Sequence, residues 1–448
     1  MREAIDIHCH FNRFDTLPDK YTVHLIGNQF PLAEDYLTED CIKNSFFLNR
    51  IVFKIAPALL KQAKYLDRLI NSLRAGNFWG KKGVLHTLVS HGEYMIKKDY
   101  MVTRHGTKKH DVIAYTPLMM DFIEASDIDV LEREDGVLPF LLQVYEHVFM
   151  SRYYPWNVFP FFHFHPEREG VMTLLKQAIE NQGFAGVKIY PAMKFYPDPA
   201  DDRQEDDMVK DNLYAFYEYI QELRSKGIVL PITTHAQYNS TQAVNLKMHQ
   251  TRKYTDIDNW NRVIKDYDLK INFGHYGGTE FLMDKPDPRH PKAPKFSKEC
   301  REKIQALMKK YNKDGKKRIF ADCSAHSPMD DNFKPYIQQI NEDLNQDHLL
   351  LMYGTDLPVV TINTLNNEYI QAYDDGISDE KAKNRFFMSN ALAFLFEDGK
   401  IPKTRTDFLI NAYGEKGVGK DPKDISNVSW VKSDDQGESF HVAPKYLK

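Results

Sequence analysis

The feature that most constrains the fold is an alternation of short apolar runs with helical patterns along most of the chain. Eight runs read as β-strands, and they are Ala4 to Cys9, Val112 to Met119, Val158 to Phe164, Gly186 to Tyr190, Ile228 to Thr234, Lys270 to Phe273, Arg318 to Asp322 and Leu349 to Tyr353. Strands that alternate with helices favour a parallel sheet joined by crossover helices. Because a TIM barrel has eight parallel strands, the sequence predicts an α/β fold of the (β/α)8 TIM-barrel type.

The helical patterns between these runs support the same architecture. Apolar residues from Val171 to Ile179 recur at the spacing of one helix face, and Gly183 follows where that helix would end. A similar stripe from Leu213 to Leu223 stops before Gly227. Near the C-terminus, Ser378-Asp379-Glu380 is a helix start, and the apolar residues up to Phe396 predict the last barrel helix.

The chain is longer than a barrel requires. We expect residues 1–399 of the 448 to form the barrel domain, with residues 11–111 as a helical insertion between strands one and two. Residues 400–448 form a polar C-terminal extension rich in Gly, Lys, Asp and Ser. This extension fits an ordered addition to the barrel, a partner-binding arm or a partly disordered end.

Composition excludes several classes of protein. With 59 Lys+Arg and 63 Asp+Glu, the net charge of -4 gives no sign of a nucleic-acid partner. No signal segment or run of about 18 apolar residues indicates a membrane protein. Four scattered cysteines, without CxxC spacing, argue against a disulfide scaffold and a thiolate zinc site. We expect a cytoplasmic protein that acts on a small molecule, and the sequence leaves a homo-oligomer open.

Ligand-capable residues stand at the ends of several predicted strands. His8 and His10 alternate on the first strand, so the strand backbone places both on one face, where two imidazoles can chelate a divalent ion. Four later strands also carry such residues, and they are Lys188, His235, His275 and Asp356. The carboxyl ends of barrel strands meet at one face, which is where barrel active sites lie.

This order of motifs resembles the amidohydrolase superfamily. The resemblance consists of HxH on strand one, Lys on strand four, His on strands five and six, and Asp on strand eight. The stretch from Val187 to Ala192 resembles the carbamylated-lysine strand of dihydroorotases. The early HxH and the final helix with Phe387 to Leu392 look most like the "amidohydrolase 2" branch. The resemblance covers roughly Ala4 to Phe396, apart from the insertion.

The resemblance implies one or two divalent ions, with Zn as the first choice and Mn or Fe as alternatives. The implied ligands are His8, His10, Lys188, His235, His275 and Asp356. His8 and His10 would hold the first ion together with Asp356. In binuclear members His235 and His275 would hold a second ion, whereas in mononuclear members His235 joins the first site and His275 turns to the substrate. Lys188 would carry a carbamate, bind a substrate carboxylate, or pair with an acid such as Asp322.

The resemblance implies a hydrolase in which metal-activated water cleaves an amide, lactam, lactone or ester bond of a small molecule. Asp356 would carry the proton, and His275 would stabilise the developing oxyanion. A metal-dependent decarboxylase or hydratase of the same branch is the main alternative. A barrel that has lost catalysis and serves as a binding or scaffold protein is the other. His163, His165 and the segment from Asp322 to His326 stay open between a wall role and a pocket role.

Overall fold

The structure is a computed structural model of the chain. It describes residues 2–10, 110–121, 130–237, 248–278, 292–313, 315–326, 333–356, 366–416, 421–434 and 439–447. Of the predicted insertion, residues 110 and 111 belong to a strand, and residues 11–109 lie outside the described ranges. The helical insertion therefore stays a prediction, as does the domain boundary at residue 400.

All eight predicted strands are present and pair in parallel. They are β1 (Arg2–Cys9), β2 (His110–Pro117), β3 (Phe161–Phe164), β4 (Gly186–Ile189), β5 (Pro231–His235), β6 (Lys270–Gly274), β7 (Ile319–Asp322) and β8 (Leu351–Met352). Strands β3 to β8 form one sheet in chain order, and β1 pairs with β2. The Ile7 amide donates a hydrogen bond to the Tyr353 carbonyl at 3.2 Å, and the Met119 amide donates to the Phe161 carbonyl at 3.1 Å. These bonds connect β1 with the end of β8 and β2 with β3, in the strand order of the predicted (β/α)8 barrel.

Two strands, β3 and β5, begin three residues later than the sequence predicted. Strand β5 was expected from Ile228, but the Ile228 amide still donates to the Leu223 carbonyl and so completes the end of the preceding helix. Strand β3 was expected from Val158, whose amide donates to the Tyr154 carbonyl. Apolar character alone cannot distinguish a strand from the turn that leads into it, because apolar turn residues also pack against the core, as the buried Val158 and the partly buried Ile228 do.

Helices lie between the strands along the chain. They are α1 (Val130–Tyr153), α2 (Val171–Asn181), α3 (Asp207–Ser225), α4 (Met248–Thr255), α5 (Asn261–Asp266), α6 (Ala293–Tyr311), α7 (Phe333–Asp343), α8 (Asn366–Gly376), α9 (Glu380–Asn384), α10 (Asn390–Leu395) and α11 (Lys403–Lys416). A π-helical turn, Arg385–Ser389, joins α9 to α10. Among the described residues, no helix combines the length and the apolar character needed to cross a membrane.

Local sequence explains how these helices begin and end. The predicted apolar stripe of α2 is buried at Val171, Leu175, Ala178 and Ile179. Helix α9 begins after Asp379, whose carboxylate accepts a hydrogen bond from the Ala382 amide, as predicted. Gly183 and Gly227 follow α2 and α3 with φ angles of 73° and 78°, a conformation that favours glycine.

Aromatic side chains fill the end of the barrel where the strands begin. The ring of Phe394 from α10 contacts Phe161 of β3 and Phe320 of β7. Lys270, the first residue of β6, donates to the Ala393 carbonyl and so fixes α10 at this end. Aromatic contacts thus dominate this end of the barrel, whereas the ligand-capable residues lie at or near the ends of the strands on the opposite side.

The C-terminal extension is ordered where the structure describes it. It contains α11 and an antiparallel hairpin of β9 (Val431–Ser433) and β10 (Phe440–Val442). Trp430 is buried against the ring of Phe159. Arg405 of α11 is also buried, and its guanidinium donates to three backbone carbonyl oxygens and to a serine hydroxyl of the barrel. The described residues of the extension are therefore an ordered addition to the barrel, and a partner-binding role stays a prediction.

Candidate metal centre

The ends of β1 and β8 bring His8, His10 and Asp356 together. The Nε2 atom of His10 lies 3.0 Å from Oδ1 of Asp356, and Nε2 of His8 lies 3.6 Å from the same oxygen. Both histidines are buried, and the side chain of Asp356 is 12% exposed. One ligand atom from each residue lies within 4.8 Å of the others. Three of the residues that the sequence proposed as ligands therefore meet at one point.

Both histidines direct Nε2 to this point because Nδ1 is engaged elsewhere. Nδ1 of His8 lies 2.9 Å from a carboxylate oxygen of Asp322, and Nδ1 of His10 lies 2.7 Å from the carbonyl oxygen of Leu118. A carboxylate or carbonyl oxygen only accepts, so each Nδ1 carries the hydrogen. When such a ring is neutral, as metal binding requires, its lone pair is on Nε2. An acceptor behind the ring is the usual support of a metal-binding histidine, and the three residues fit a divalent ion.

Burial and neighbouring charges favour the metal-binding protonation states. Burial lowers the pKa of His8, although Asp322 opposes this change, so the ring is neutral at pH 7. Burial alone would raise the pKa of Asp356, but its hydrogen bond with His10 and the nearby rings of His275 and His8 hold the pKa well below its usual range. A neutral imidazole and an ionised carboxylate are the forms that bind a divalent ion.

Asp322 supports this centre from the end of β7. Its Oδ2 accepts hydrogen bonds from His8 and from the side-chain amide of Asn272, at 2.9 and 2.7 Å. Its Oδ1 accepts from the backbone amide of His275 and from the hydroxyl of Ser324. Burial opposes ionisation, but these donors hold the pKa of Asp322 well below its usual range. His8, His275 and Asp322 form a second possible ligand group, yet hydrogen bonds already occupy both oxygens of Asp322. We therefore assign Asp322 to the support of His8.

His235 and His275 contact each other. Because the Ser324 hydroxyl donates to Asp322, it accepts from Nδ1 of His275 at 2.9 Å. Nε2 of His275 is then an acceptor, and it receives the hydrogen on Nδ1 of His235 at 3.0 Å. The lone pair of His235 is left on Nε2, which is buried and has no hydrogen-bond partner within the described part of the chain. Such a lone pair is available to a metal ion, so a ligand role for His235 stays a proposal.

Lys188 lies on β4 at the level of His163 on β3 and Thr233 on β5. It is 1% exposed. Burial lowers its pKa to about 8, although the carboxylates of Asp322 and Asp356 oppose this change. Among the described residues, Lys188 forms no ion pair, because both carboxylates are bound to histidines instead. The amine is therefore mainly an ammonium ion at pH 7, without a direct counter-ion in these ranges.

The backbone is strained where β6 and β8 end. His275 and Asp356 have φ angles of 65° and 59°, a region that residues with a side chain rarely adopt. The amides of Thr355 and Asp356 both donate to the carbonyl of His8, which fixes this turn against β1. Gly354 is required there, because a Cβ at this position would lie 2.9 Å from the Cβ of His8. Strain of this kind concentrates at functional sites.

Two other histidines that the sequence placed near strand ends, His326 and His165, contact neighbouring residues. Nε2 of His326 lies 3.2 Å from the carbonyl oxygen of His275, and its ring contacts Tyr336. His326 therefore stabilises the strained turn at His275 and forms part of the wall of the site. The ring of His165 contacts Phe195. The support by Asp322 and Ser324 could not be found from sequence spacing, because Asp322 and His8 are separated by 314 positions.

The amidohydrolase family model matches residues 5–396. No curated protein matches. The solved structures include an uncharacterised TIM-barrel protein from Bordetella bronchiseptica, at 13% identity, covering 73% of this chain and 91% of that chain, with a TM-score of 0.43.

Two further solved structures are decarboxylases. One is the 5-carboxyvanillate decarboxylase of Novosphingobium aromaticivorans, complexed with manganese and 4-hydroxy-3-methoxy-5-nitrobenzoic acid. The identity is 13% and the TM-score is 0.43, and the match covers 88% of this chain and 96% of that chain. The other is the 2,6-dihydroxybenzoate decarboxylase from Rhizobium, at 13% identity, 64% and 85% coverage, and a TM-score of 0.38.

Proposed function

The chain belongs to the amidohydrolase family, and from this premise we propose that it is a metal-dependent decarboxylase of a small aromatic or unsaturated carboxylic acid. The proposed ligands of the divalent ion are His8, His10, Asp356 and His235. The observation that carries the proposal is that the side chain of Lys188 on β4 is buried and forms no ion pair within the described part of the chain. Zn, Mn and Fe are all consistent with these nitrogen and oxygen ligands.

Charge balance in the site favours an anionic substrate. A divalent ion and a protonated Lys188 would bring three positive charges, against the two negative charges of Asp322 and Asp356 and the carboxyl of Asp6, whose pKa burial raises to about 7. A buried excess charge is costly unless an anion compensates it. A substrate carboxylate would supply that compensation, because a carboxylate oxygen accepts hydrogen bonds from an ammonium. Lys188 thereby selects for an acid rather than a neutral molecule.

Decarboxylation breaks the bond between the carboxylate carbon and its neighbour, leaves the electron pair on that neighbour and requires one proton there. A divalent ion in the site would stabilise the negative charge that develops on substrate oxygen atoms. The N–H of His275 is engaged with Ser324, so His275 cannot donate into the pocket without a rearrangement. Asp356 is ionised and can take a proton from the incoming substrate or from water, then return it to the carbon. We therefore assign proton transfer to Asp356, whereas His275, with both ring nitrogens engaged, orients His235.

Hydrolysis, the first expectation from the sequence, is the second candidate. It is favoured by the ionised state of Asp356, because an ionised carboxylate can act as a general base for water. The bonds concerned are those of an amide, lactam, lactone or ester. A carbamate on Lys188 would also favour this reaction, since it would replace the ammonium by a negative group that can bridge two ions. An intact-mass increase of one CO2 on Lys188, or two bound ions, would reveal that state.

The two candidates are separated by incubating the metal-loaded protein with two panels of compounds. One panel holds aromatic and unsaturated carboxylic acids, and the other holds amides, esters, lactams and lactones. We expect CO2 release from at least one acid, lost on chelation and restored by Zn, Mn or Fe. Lys188→Met, which keeps the length of the side chain without its charge, should abolish release, whereas Lys226→Met on the surface should not. Metal-dependent cleavage in the second panel alone would favour hydrolysis, and inactivity in both would favour the scaffold alternative.

A further inference from the structure

His163 of β3 faces the barrel interior at the level of Lys188. The next residue, Phe164, stacks on Phe216 of α3, with ring centroids 4.4 Å apart, and so points to the helices. Neighbouring side chains of a strand point to opposite faces, so His163 points into the barrel. Its register partner on β4 is Lys188, and its side chain is fully buried. His163 therefore belongs to the same layer of the interior as the ammonium.

A backbone hydrogen bond determines which nitrogen of His163 carries the hydrogen. The amide of Asp121 donates to Nδ1 of His163 at 2.7 Å. A backbone amide can only donate, so Nδ1 bears a lone pair and the hydrogen of the neutral ring is on Nε2. Burial, opposed by Asp121, lowers the pKa of His163 to about 3, which agrees with a neutral ring. His163 is thus a neutral N–H donor.

Asp121 is held rigidly behind this ring. Nε and Nη2 of Arg168 donate to the two carboxylate oxygens of Asp121 at 2.5 and 2.7 Å, and both residues are buried. The guanidinium also lies over the ring of Phe140, 4.2 Å from its centroid. A bidentate pair of this kind fixes orientation as well as distance. The position of the Asp121 amide is therefore fixed, and this amide in turn fixes the orientation of the His163 ring.

The Nε2 atom of His163 has no hydrogen-bond partner anywhere in the described ranges, although it is buried. Buried donors are almost always paired, and an unpaired donor costs free energy. Two inward donors, His163 Nε2–H and the Lys188 ammonium, suit an anionic group with two oxygens. We propose that His163 donates to a substrate carboxylate and thereby helps Lys188 to select an acid. This inference rests on the proposed function for the presence of that carboxylate.

Two substitutions separate this role from a structural one. His163→Asn can keep an oxygen near the Nδ1 position, which accepts from Asp121, but it lacks the inward donor. His163→Gln can keep an N–H near the Nε2 position, but it lacks the acceptor for Asp121. The metal-loaded wild type and both variants are titrated calorimetrically with benzoate and with its neutral isostere, benzamide. We expect His163→Asn to weaken benzoate binding about tenfold or more, and His163→Gln to weaken it less than about threefold. Benzamide affinity and metal affinity should change little in both variants.

Three results would contradict the proposed role of His163. Unchanged benzoate affinity in His163→Asn, a larger loss in His163→Gln than in His163→Asn, or a wild type that binds no benzoate would each contradict it. Should a variant fail to fold, ¹⁵N NMR of histidine in the wild type replaces it. We expect hydrogen on Nε2 of His163 and a shift of that resonance with benzoate, and hydrogen on Nδ1 would refute the inference. If the two variants differ in benzoate affinity as expected but the wild type releases no CO2 from any acid, decarboxylation is refuted and the role of His163 is not.

Discussion

Nδ1 of His8 lies 2.9 Å from Oδ2 of Asp322, and this contact turns Nε2 of His8 towards Asp356. The carboxylate that supports His8 comes from β7, whereas the sheet pairs β7 with β6 and β8. The support therefore reaches His8 across the barrel interior rather than from a neighbouring strand. A ligand that is oriented from behind in this way needs no rearrangement when it binds a metal ion.

Replacing Asp322 should weaken metal binding while leaving all the proposed ligands in place. In Asp322→Asn the acceptor for His8 loses its charge, so the ring is held less firmly in the tautomer that binds a metal. We expect the affinity for Zn or Mn to fall about tenfold or more, measured by competition with a chromogenic chelator. Asp121→Asn, which changes another buried carboxylate that pairs with Arg168, serves as the control. Equal metal affinity in the two variants would contradict the role of Asp322.

Replacing Asp356 should separate metal binding from proton transfer. The amide oxygen of Asp356→Asn can still coordinate an ion, but the side chain can no longer take a proton. We expect kcat to fall by roughly 10²–10⁴ with most of the metal retained. His8→Ala should instead lose the metal together with turnover. Metal content and steady-state rates are measured on the same preparations, and full turnover in Asp356→Asn would exclude it as the proton carrier.

A methyl group at Gly354 should disturb the site through His8. The added Cβ would lie 2.9 Å from the Cβ of His8 and 3.2 Å from that of Ser324. We expect Gly354→Ala to lower the free energy of unfolding by about 1–3 kcal/mol and to weaken metal binding as His8 shifts. Gly170→Ala is the control, because its φ of 67° makes alanine unfavourable but nothing lies within 4 Å. It should lose stability without losing metal affinity. Equal metal affinity in both variants would contradict the close contact.

The buried histidine His147 should make stability depend on pH. It donates to the carbonyl of Gln143, and burial lowers its pKa from 6.5 to about 4. Between these values the unfolded chain binds the proton more strongly, so the free energy of unfolding should fall as pH decreases from 6.5 to 4. The contribution of this one group is at most roughly 3 kcal/mol. His147→Phe, which keeps a ring against Phe184, should flatten that slope in denaturant titrations. An unchanged slope would contradict the shift.

The strands and the three proposed ligands that meet at one point could be predicted, the two histidines from short-range periodicity. His8 and His10 are two residues apart, and the strand period places them on one face whatever the rest of the chain does. Asp356 was predicted from its position after an apolar run. The starts of β3 and β5 were less accurate, because the preceding residues complete helical turns that are equally apolar.

The supporting contacts could not be predicted, because they join residues that are distant in sequence. Asp322 was visible as a polar residue after β7, but its partner depends on how the strands are arranged around the barrel. The role of His163 depends on a tautomer set by one backbone amide, which no side-chain pattern reveals. The sequence of the C-terminal extension is polar on average, and this average gives no sign that Trp430 and Arg405 are buried.

The central claim is that His8, His10 and Asp356 hold a divalent ion through atoms that Asp322 and Leu118 orient. The most direct test is an anomalous difference map, recorded at the metal absorption edge, from crystals of the protein loaded with Zn or Mn. We predict a peak bonded to Nε2 of His8, Nε2 of His10 and a carboxylate oxygen of Asp356, at about 2.0–2.2 Å for Zn. A map without a peak at these atoms, or with its peak on Asp322 and Nδ1 of His8, would contradict the account.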